Sequence, residues 1–455
     1  MRHPISSGGC TILSQTLEIY GQTELRPRGS LKTAAPRELW VERSLPAAFE
    51  PSGLIAADTR RLWGEQDRLP DSIPDRLSDP DVVAVHKDET VWGGCVLGHY
   101  GHFLTESVSR LWPLLPEAEL KGLPVVCTMQ SKFPFAREWA QAFGIDVAEL
   151  PERGVVRFMK MFVPDPAWRL NVWISPEIRD IHMHARQNLS VPPCDEAGVL
   201  WLSRSGLDRN SCAYDEVLLE WILRDHVTLI HPEQMTLVEQ IAAVEASEVV
   251  AGIVGSAFHT LLMAAKLPTC VLLCPGGVQP AFLAQDLLLR TNGAFIHALS
   301  IAEMLRRRRG QSLGGYRVMI PETVRALGET VLPALLEDER LLCFAYPERF
   351  TSTIGEAVAN DSLERMVARV LLDPYSFEAR LKLAAAFECR ELFSCALEQF
   401  LTVAELSDNG HVPSLLGASR MFDCLNQRSE ASSMARQVLA LDPSCRDALA
   451  YLANA

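Results

Sequence analysis

The feature that most constrains this chain is an alternation of short apolar runs and amphipathic segments over residues 199–274. Val199, Leu200, Trp201 and Leu202 form an apolar run that ends in Ser203-Arg204. A polar turn over 205–210 follows, then an amphipathic stretch over 214–223. Residues 227–230 read as a second strand closed by His231-Pro232-Glu233, and 236–246 as a helix with Leu237, Ile241 and Val244 on one face. Residues 249–254 form a third strand, Gly255-Ser256 a tight turn, 257–265 a helix and 270–273 a fourth strand. Strands that alternate with helices need crossover connections, and therefore a parallel sheet covered on both faces.

Such a sheet binds ligands beyond the carboxyl ends of its strands. Arg204, Glu233 and Gly255-Ser256 fall at three such ends. Gly255-Ser256 precedes a helix, so N–H groups and the positive end of a helix dipole would face whatever binds there. Glycine lets an anion approach the backbone closely. Arg204 supplies a planar fork suited to phosphate, and Glu233 is placed to accept from ribose hydroxyls. Together they fit a nucleoside diphosphate pocket. Neither Gly-x-Gly-x-x-Gly nor a P-loop signature is present. A Gly-Ser turn after a strand is often purely structural, so the reading rests on the group and not on any one member.

A second constellation lies upstream. In Gly98-His99-Tyr100-Gly101-His102-Phe103, the last residue opens a helical spacing over 103–115, with Phe103, Val108, Leu111 and Leu115 near one face. Glu106 follows His102 by four residues, so the two side chains can meet across one helical turn. A carboxylate bound to an imidazole fixes its tautomer and raises its basicity, which prepares a general base for a hydroxyl. The structural alternative is a histidine at a helix start beside a solvated glutamate.

Leu202-Ser203-Arg204, Arg209-Asn210, His231-Pro232-Glu233, Leu237-x-x-Gln240-Ile241 and Gly252-Ile253-Val254-Gly255-Ser256-Ala257 resemble, in order and spacing, the pattern of family 61 glycosyltransferases. His99-Tyr100-Gly101-His102-Phe103-x-x-Glu106 is similar to that family's His-Phe-x-x-Glu element. The resemblance covers residues 92–274. The chain departs from it at Phe258-His259 and around Arg209-Asn210, which bears on the donor more than on the fold. The resemblance implies an α/β fold of two Rossmann-like lobes (GT-B-like). It implies inverting transfer of a hexosyl or pentosyl group from a nucleotide-diphosphate-sugar donor to a glycan hydroxyl, in bacterial capsule, exopolysaccharide or other glycan biosynthesis. Donor binding would fall to Arg204, Arg209, Glu233, Gly255 and Ser256. Catalysis would fall to His102 steadied by Glu106, with His99 next in line. The implied partners are a nucleotide sugar and a glycan or lipid-linked glycan acceptor. No metal cofactor is expected, since arginine and a helix dipole can neutralise the leaving diphosphate. Lobe closure would orient the substrates and exclude water. Two other readings stand beside this one: a polysaccharide-modifying transferase with a non-sugar donor, and a non-catalytic adaptor.

At 455 residues the chain exceeds one ordinary domain. A net charge of −14 excludes a general nucleic-acid binder, which needs a basic footprint. Twelve cysteines without a Cys-x-x-Cys pair read as reduced thiols of a cytosolic protein. Asp79-Pro80-Asp81 precedes the strand at 81–85 when a metal-binding pair should follow one. His182 and His184, two apart on a helix over 176–189, diverge and make poor joint ligands. His259, Lys266 and Pro268 interrupt the most apolar region, and no signal peptide is visible, so a cytoplasmic location is expected. Arg306-Arg307-Arg308-Arg309 gives the option of peripheral attachment to the inner face of the plasma membrane.

From residue 361 the pattern becomes continuously helical. Asp373-Pro374, Asp408 and Asp442-Pro443 recur at spacings of 35 and 34 residues, and Leu383, Phe387, Ala396 and Phe400 fit a tetratricopeptide repeat. The expected organisation is an irregular extension over 1–80, a first α/β lobe on the acceptor side over 81–175 and a second on the nucleotide-sugar side over 176–310. A linker over 311–360 and an all-α tetratricopeptide-like tail over 361–455 follow, the tail packing on the lobes or on a protein partner.

Overall fold

The computed structural model describes residues 6–7, 10–11, 24–43, 45, 47–50, 55–58, 81–128, 134–170, 172–207, 213–275, 279–301, 316–348 and 362–454. Arg209, Asp79-Pro80 and the basic run 306–309 lie outside them. The protein is a mixed α/β structure followed by a helical C-terminal region.

The first sheet contains β1 (Thr33–Glu42), β2 (Ala47–Phe49), β3 (Ile55–Asp58), β4 (Val82–Cys95), β5 (Val125–Thr128) and β6 (Val155–Pro164). Their order is β3-β2-β1-β6-β4-β5. Pairs from β3 to β6 are antiparallel; β4 pairs in parallel with both β6 and β5. Part of the N-terminal stretch expected to be irregular therefore builds this sheet. Leu39 and Val41 are fully buried and register on Phe158 and Val156 of β6. Pro36 sits where the β1–β6 register shifts between Ala34 and Arg37, and a bulge tolerates a residue without an N–H. The two runs at 81–85 and 92–96 join in one 14-residue strand, β4.

The second sheet contains β7 (Ala197–Leu202), β8 (Thr228–Ile230), β9 (Ser247–Ile253), β10 (Thr269–Pro275), β11 (Ala294–Ile301) and β12 (Tyr316–Val318). The order is β8-β7-β9-β10-β11-β12, parallel except for the last pair. Five helices accompany the two sheets: α1 (Pro134–Phe143), α2 (Glu177–Gln187), α3 (Glu216–Leu223), α4 (Leu237–Glu245) and α5 (Pro280–Leu289). Side chains alternate across a strand, and here the alternation separates two cores. Leu200, Leu202, Val250 and Leu272 join a cluster shared with the first sheet through Phe103, Trp139 and Ile181. Val199, Trp201, Ala251, Ile253, Val271 and Leu273 face a second cluster shared with the C-terminal helices.

The helix expected over 103–115 is broken. An α-turn (Tyr100–His102) runs into a π-turn (Phe103–Ser107), and a 3₁₀ turn (Trp112–Leu114) follows. Ser109 Oγ donates to Glu106 O at 2.7 Å, in competition with the helix ladder, and Pro113 cannot extend it. The helix expected over 257–265 is a 3₁₀ segment, Ser256–Leu262.

The two sheets are fastened directly to each other. From α2, Arg179 donates to the carbonyls of Leu261, Leu262 and Ala264, and Arg186 pairs with Glu245 at 2.8–2.9 Å. The continuous apolar cluster and these contacts describe a packed junction.

Residues 316–348, expected as part of a linker, are ordered as β12, α6 (Ile320–Thr330), α7 (Ala334–Glu337) and α8 (Glu339–Ala345). Val324, Leu327, Leu335, Leu341 and Phe344 belong to the second core, which the sequence reading did not anticipate. The C-terminal region follows with α9 (Leu363–Leu372), α10 (Phe377–Glu388), α11 (Phe393–Leu406), α12 (Val412–Cys424), α13 (Arg428–Leu441) and α14 (Arg446–Asn454). Each helix packs on the next. Among the described residues, no helix is long and apolar enough to cross a membrane.

Candidate functional site

The carboxyl ends of β8, β7 and β9, neighbours in the sheet, deliver Pro232-Glu233, Ser203-Arg204 and Val254-Gly255-Ser256 to one cavity of about 1350 Å³. His99, Tyr100, His102 and Thr105 line the same cavity. The structure thus brings His99, His102, Arg204, Glu233, Gly255 and Ser256 together.

Gly255 has an extended backbone (φ −175°), so conformation does not demand glycine there. Space does. A Cβ at Gly255 would lie 2.0 Å from Arg204 Nη1, which puts the guanidinium directly over the backbone that opens the 3₁₀ segment. The first N–H groups of that segment have no acceptor within its own ladder. Arginine and amides at one point are the donors an anion needs. Glu233 occupies the far side of the Arg204 loop, its carboxylate against Gly206 and its Oε1 3.5 Å from His231 Nδ1.

His102 Nδ1 is 2.6 Å from Glu106 Oε2, the contact that the spacing of four predicts. The intervening backbone is π-helical, a geometry frequent at functional sites. With Nδ1 facing the carboxylate, Nε2 is the basic nitrogen of the ring. The His99 ring lies 4.9 Å from that of His102.

A hydrogen-bonded chain links this turn to the second sheet. Tyr100 Oη and Thr260 Oγ1 are 2.8 Å apart, Thr260 Oγ1 donates to Gln240 Oε1 at 3.4 Å, and Gln240 Nε2 donates to Pro232 O at 2.9 Å. Gln240 therefore holds the loop that carries Glu233. Helix α4 is fixed in turn by a capping box between Thr236 and Glu239.

Several lining residues escaped the sequence reading. His259, which departs from the family pattern, stacks on Phe282 at 4.8 Å and meets Trp168 edge-on at 5.7 Å. Its Nδ1 is 2.6 Å from Gln285 Oε1, and Gln285 Nε2 donates to Phe258 O. Glu138 of α1 also lines the cavity; burial raises its carboxyl pKa, as does Glu239 across the junction. His259 stood out in sequence only as a departure from the family pattern, and Glu138 carries no signal there, because only packing of the two sheets brings α1 to this cavity.

Beneath the Arg204 loop, Glu216 and Glu220 are buried, and burial raises both carboxyls, Glu216 also through Glu220 beside it. Glu216 Oε1 accepts from Arg204 N at 2.8 Å, and Glu220 Oε2 accepts from Ser205 Oγ at 2.8 Å.

His182 is buried, with Trp139 Nε1 donating to its Nδ1 and its Nε2 donating to Leu104 O, a structural role. Among the described residues, no group of three or more His, Cys, Asp or Glu is arranged to hold a metal ion. The described cysteines are free thiols; burial pushes Cys95, Cys127, Cys270, Cys274 and Cys395 up to about 12.

Residues 100–272 match the family described as Glycosyltransferase 61, less than half of the 455-residue chain. The match contains the His102–Glu106 turn and all three strand ends, and it supports a glycosyltransferase. The search of curated proteins found no match.

Proposed function

We propose that this chain is a GT-B-like glycosyltransferase that moves a hexosyl or pentosyl group from a nucleoside-diphosphate donor to a glycan or lipid-linked glycan hydroxyl, with inversion. The observation that carries the reading is the convergence of Arg204, Glu233 and Gly255, from three adjacent parallel strand ends, in one cavity with His102. In this reading the donor diphosphate lies on Arg204 and the amides at Ser256, with Glu233 on the ribose. Arg209, outside the described residues, is assigned to the donor by the motif resemblance alone.

The acceptor oxygen attacks the anomeric carbon on the face opposite the diphosphate. The bond from that carbon to the diphosphate breaks, and the hydroxyl proton passes to His102 Nε2. Glu106 stabilises the imidazolium that results, as an acceptor at Nδ1. The negative charge left on the diphosphate meets fixed donors that need no reorganisation. No resident metal enters this scheme. Placement in bacterial capsule or exopolysaccharide assembly, with the C-terminal helices as tetratricopeptide-like repeats, is part of the proposal and rests on the motif resemblance.

The test is thermal melting with UDP, GDP and CDP and their sugars, with and without EDTA. Ligand at about 100 times its dissociation constant adds about 2.7 kcal/mol. Wild type should shift with one nucleotide class regardless of EDTA, and Arg204→Ala should lose the shift. His102→Ala should keep it while turnover falls about 10²-fold or more. No shift with any nucleotide from folded wild type would remove the donor pocket, and with it the separation from a transferase using a non-sugar donor.

A further inference from the structure

We propose that Glu398, on the C-terminal helix α11, is a positioning residue for Arg204, acting through the first turn of α3. The inference rests on the reading of Arg204 as the donor's diphosphate ligand.

The first N–H groups of any helix lack intrahelical acceptors and need a cap. In α3 the residue at the cap position, Asp215, gives no side-chain cap. Its carboxylate is engaged elsewhere: Arg380 Nη1 donates to Oδ1 at 2.8 Å and Nη2 to Oδ2 at 2.9 Å. The cap comes instead from far along the chain. Val217 N donates to Glu398 Oε1 and Leu218 N to Glu398 Oε2, each at 3.1 Å. Gln399 keys the two acids together, its Oε1 accepting from Arg380 and its Nε2 donating to Glu398 Oε2. All four side chains are buried, with Arg380 and Gln399 wholly so.

Glu216 lies within this clamped turn, and its own carboxylate engages the other side. Its Oε1 accepts from Arg204 N at 2.8 Å and its Oε2 from Ala213 N at 3.3 Å. A fully buried carboxylate can hold the Arg204 backbone only where the first turn of α3 is fixed, and Glu398 and Arg380 fix it. Two hydrogen-bonded steps thus join the C-terminal helices to the loop carrying the diphosphate ligand. This is a contiguous packed network of the kind that carries coupling between distant sites.

Glu398→Gln keeps the size of the side chain but sets an amide NH₂ against a backbone N–H. Dissociation constants for UDP, GDP and CDP are measured by calorimetry, and amide exchange is followed over 203–207 and 213–218. The variant should bind the nucleotide that wild type prefers roughly fivefold to tenfold more weakly, with faster exchange in both segments. Leu415→Ala, which cuts a separate cluster among α11–α14, should lower the melting temperature without changing either readout. Should Glu398→Gln not fold, Glu398→Asp retracts the carboxylate by one methylene and carries the same test. A lowered melting temperature with unchanged affinity and unchanged exchange at 203–207 would overturn the proposal. If wild type binds none of the nucleotides, the donor reading fails, and exchange at 203–207 alone decides the coupling.

Discussion

His182 shows how a residue type that suggests chemistry can be set wholly to structure. Burial, the largest cause, holds its imidazole down to about 3, and the ring stays neutral between Trp139 and the Leu104 carbonyl. An unfolded histidine titrates near 6.5, so between pH 6.5 and 3 the unfolded chain binds a proton that the folded chain refuses. Stability from this group is complete above pH 6.5 and falls with acidification by about 1.4 kcal/mol per pH unit. His182→Gln should flatten the stability–pH curve over that window by this slope, measured by denaturant unfolding at several pH values. An unchanged slope would assign the acid sensitivity elsewhere. The same scale separates His102 from His182: one meets a carboxylate at a cavity wall and the other an indole in the core.

At the scale of elements, the turn at 100–107 is placed by contact with the 3₁₀ segment of the second sheet. A Cβ on Gly101 would sit 2.8 Å from Ser256 Cβ and 3.3 Å from Ser256 Cα, so the backbones touch. Gly101→Ala must push the turn away from Ser256, and His102 moves with it. Overpacking of this kind costs about 1–3 kcal/mol. The variant should melt lower and lose turnover through kcat, because the proposed base shifts relative to the donor site while Arg204 stays in place. Wild-type kcat in Gly101→Ala would mean that the close approach is not needed. The spacing of His102 and Glu106 was legible in sequence. The π-turn that seats them was not, since it depends on Ser109 bonding back to Glu106 and on the contact with Ser256.

For the whole molecule, the C-terminal helices are part of the second core. Leu218 and Ile222 of α3 share one cluster with Phe387, Ala396 and Phe400, and the Trp221 and Phe387 rings meet edge-on at 5.4 Å. A chain ending at residue 361 would expose this surface and leave Asp215 buried without Arg380, a loss of about 3–5 kcal/mol for the broken pair alone. We expect that truncated chain to lose its cooperative melting transition and its nucleotide-induced shift. If it melts cooperatively and keeps the shift, the helices are a detachable module after all. Deleting them therefore cannot distinguish an enzyme from an adaptor, because the deletion also opens the second core.

The sequence by itself determined the parallel second sheet and the three strand ends that meet at the cavity. Those follow from hydrophobic period and from polar residues placed just after apolar runs, both local properties. It also carried the His102–Glu106 pair, because a spacing of four is a helical contact. Tertiary structure alone decided the rest. The first sheet recruits β1, where the sequence marks only Leu39-Trp40-Val41 as strand-like and pairing with β6 extends the strand over Thr33–Glu42. Glu138 of α1 reaches the site only when the two sheets pack, and residues 316–348 join a core shared by the second sheet and the C-terminal helices. A pairing such as Leu39 with Phe158 is long-range, and no local pattern encodes a partner so far along the chain.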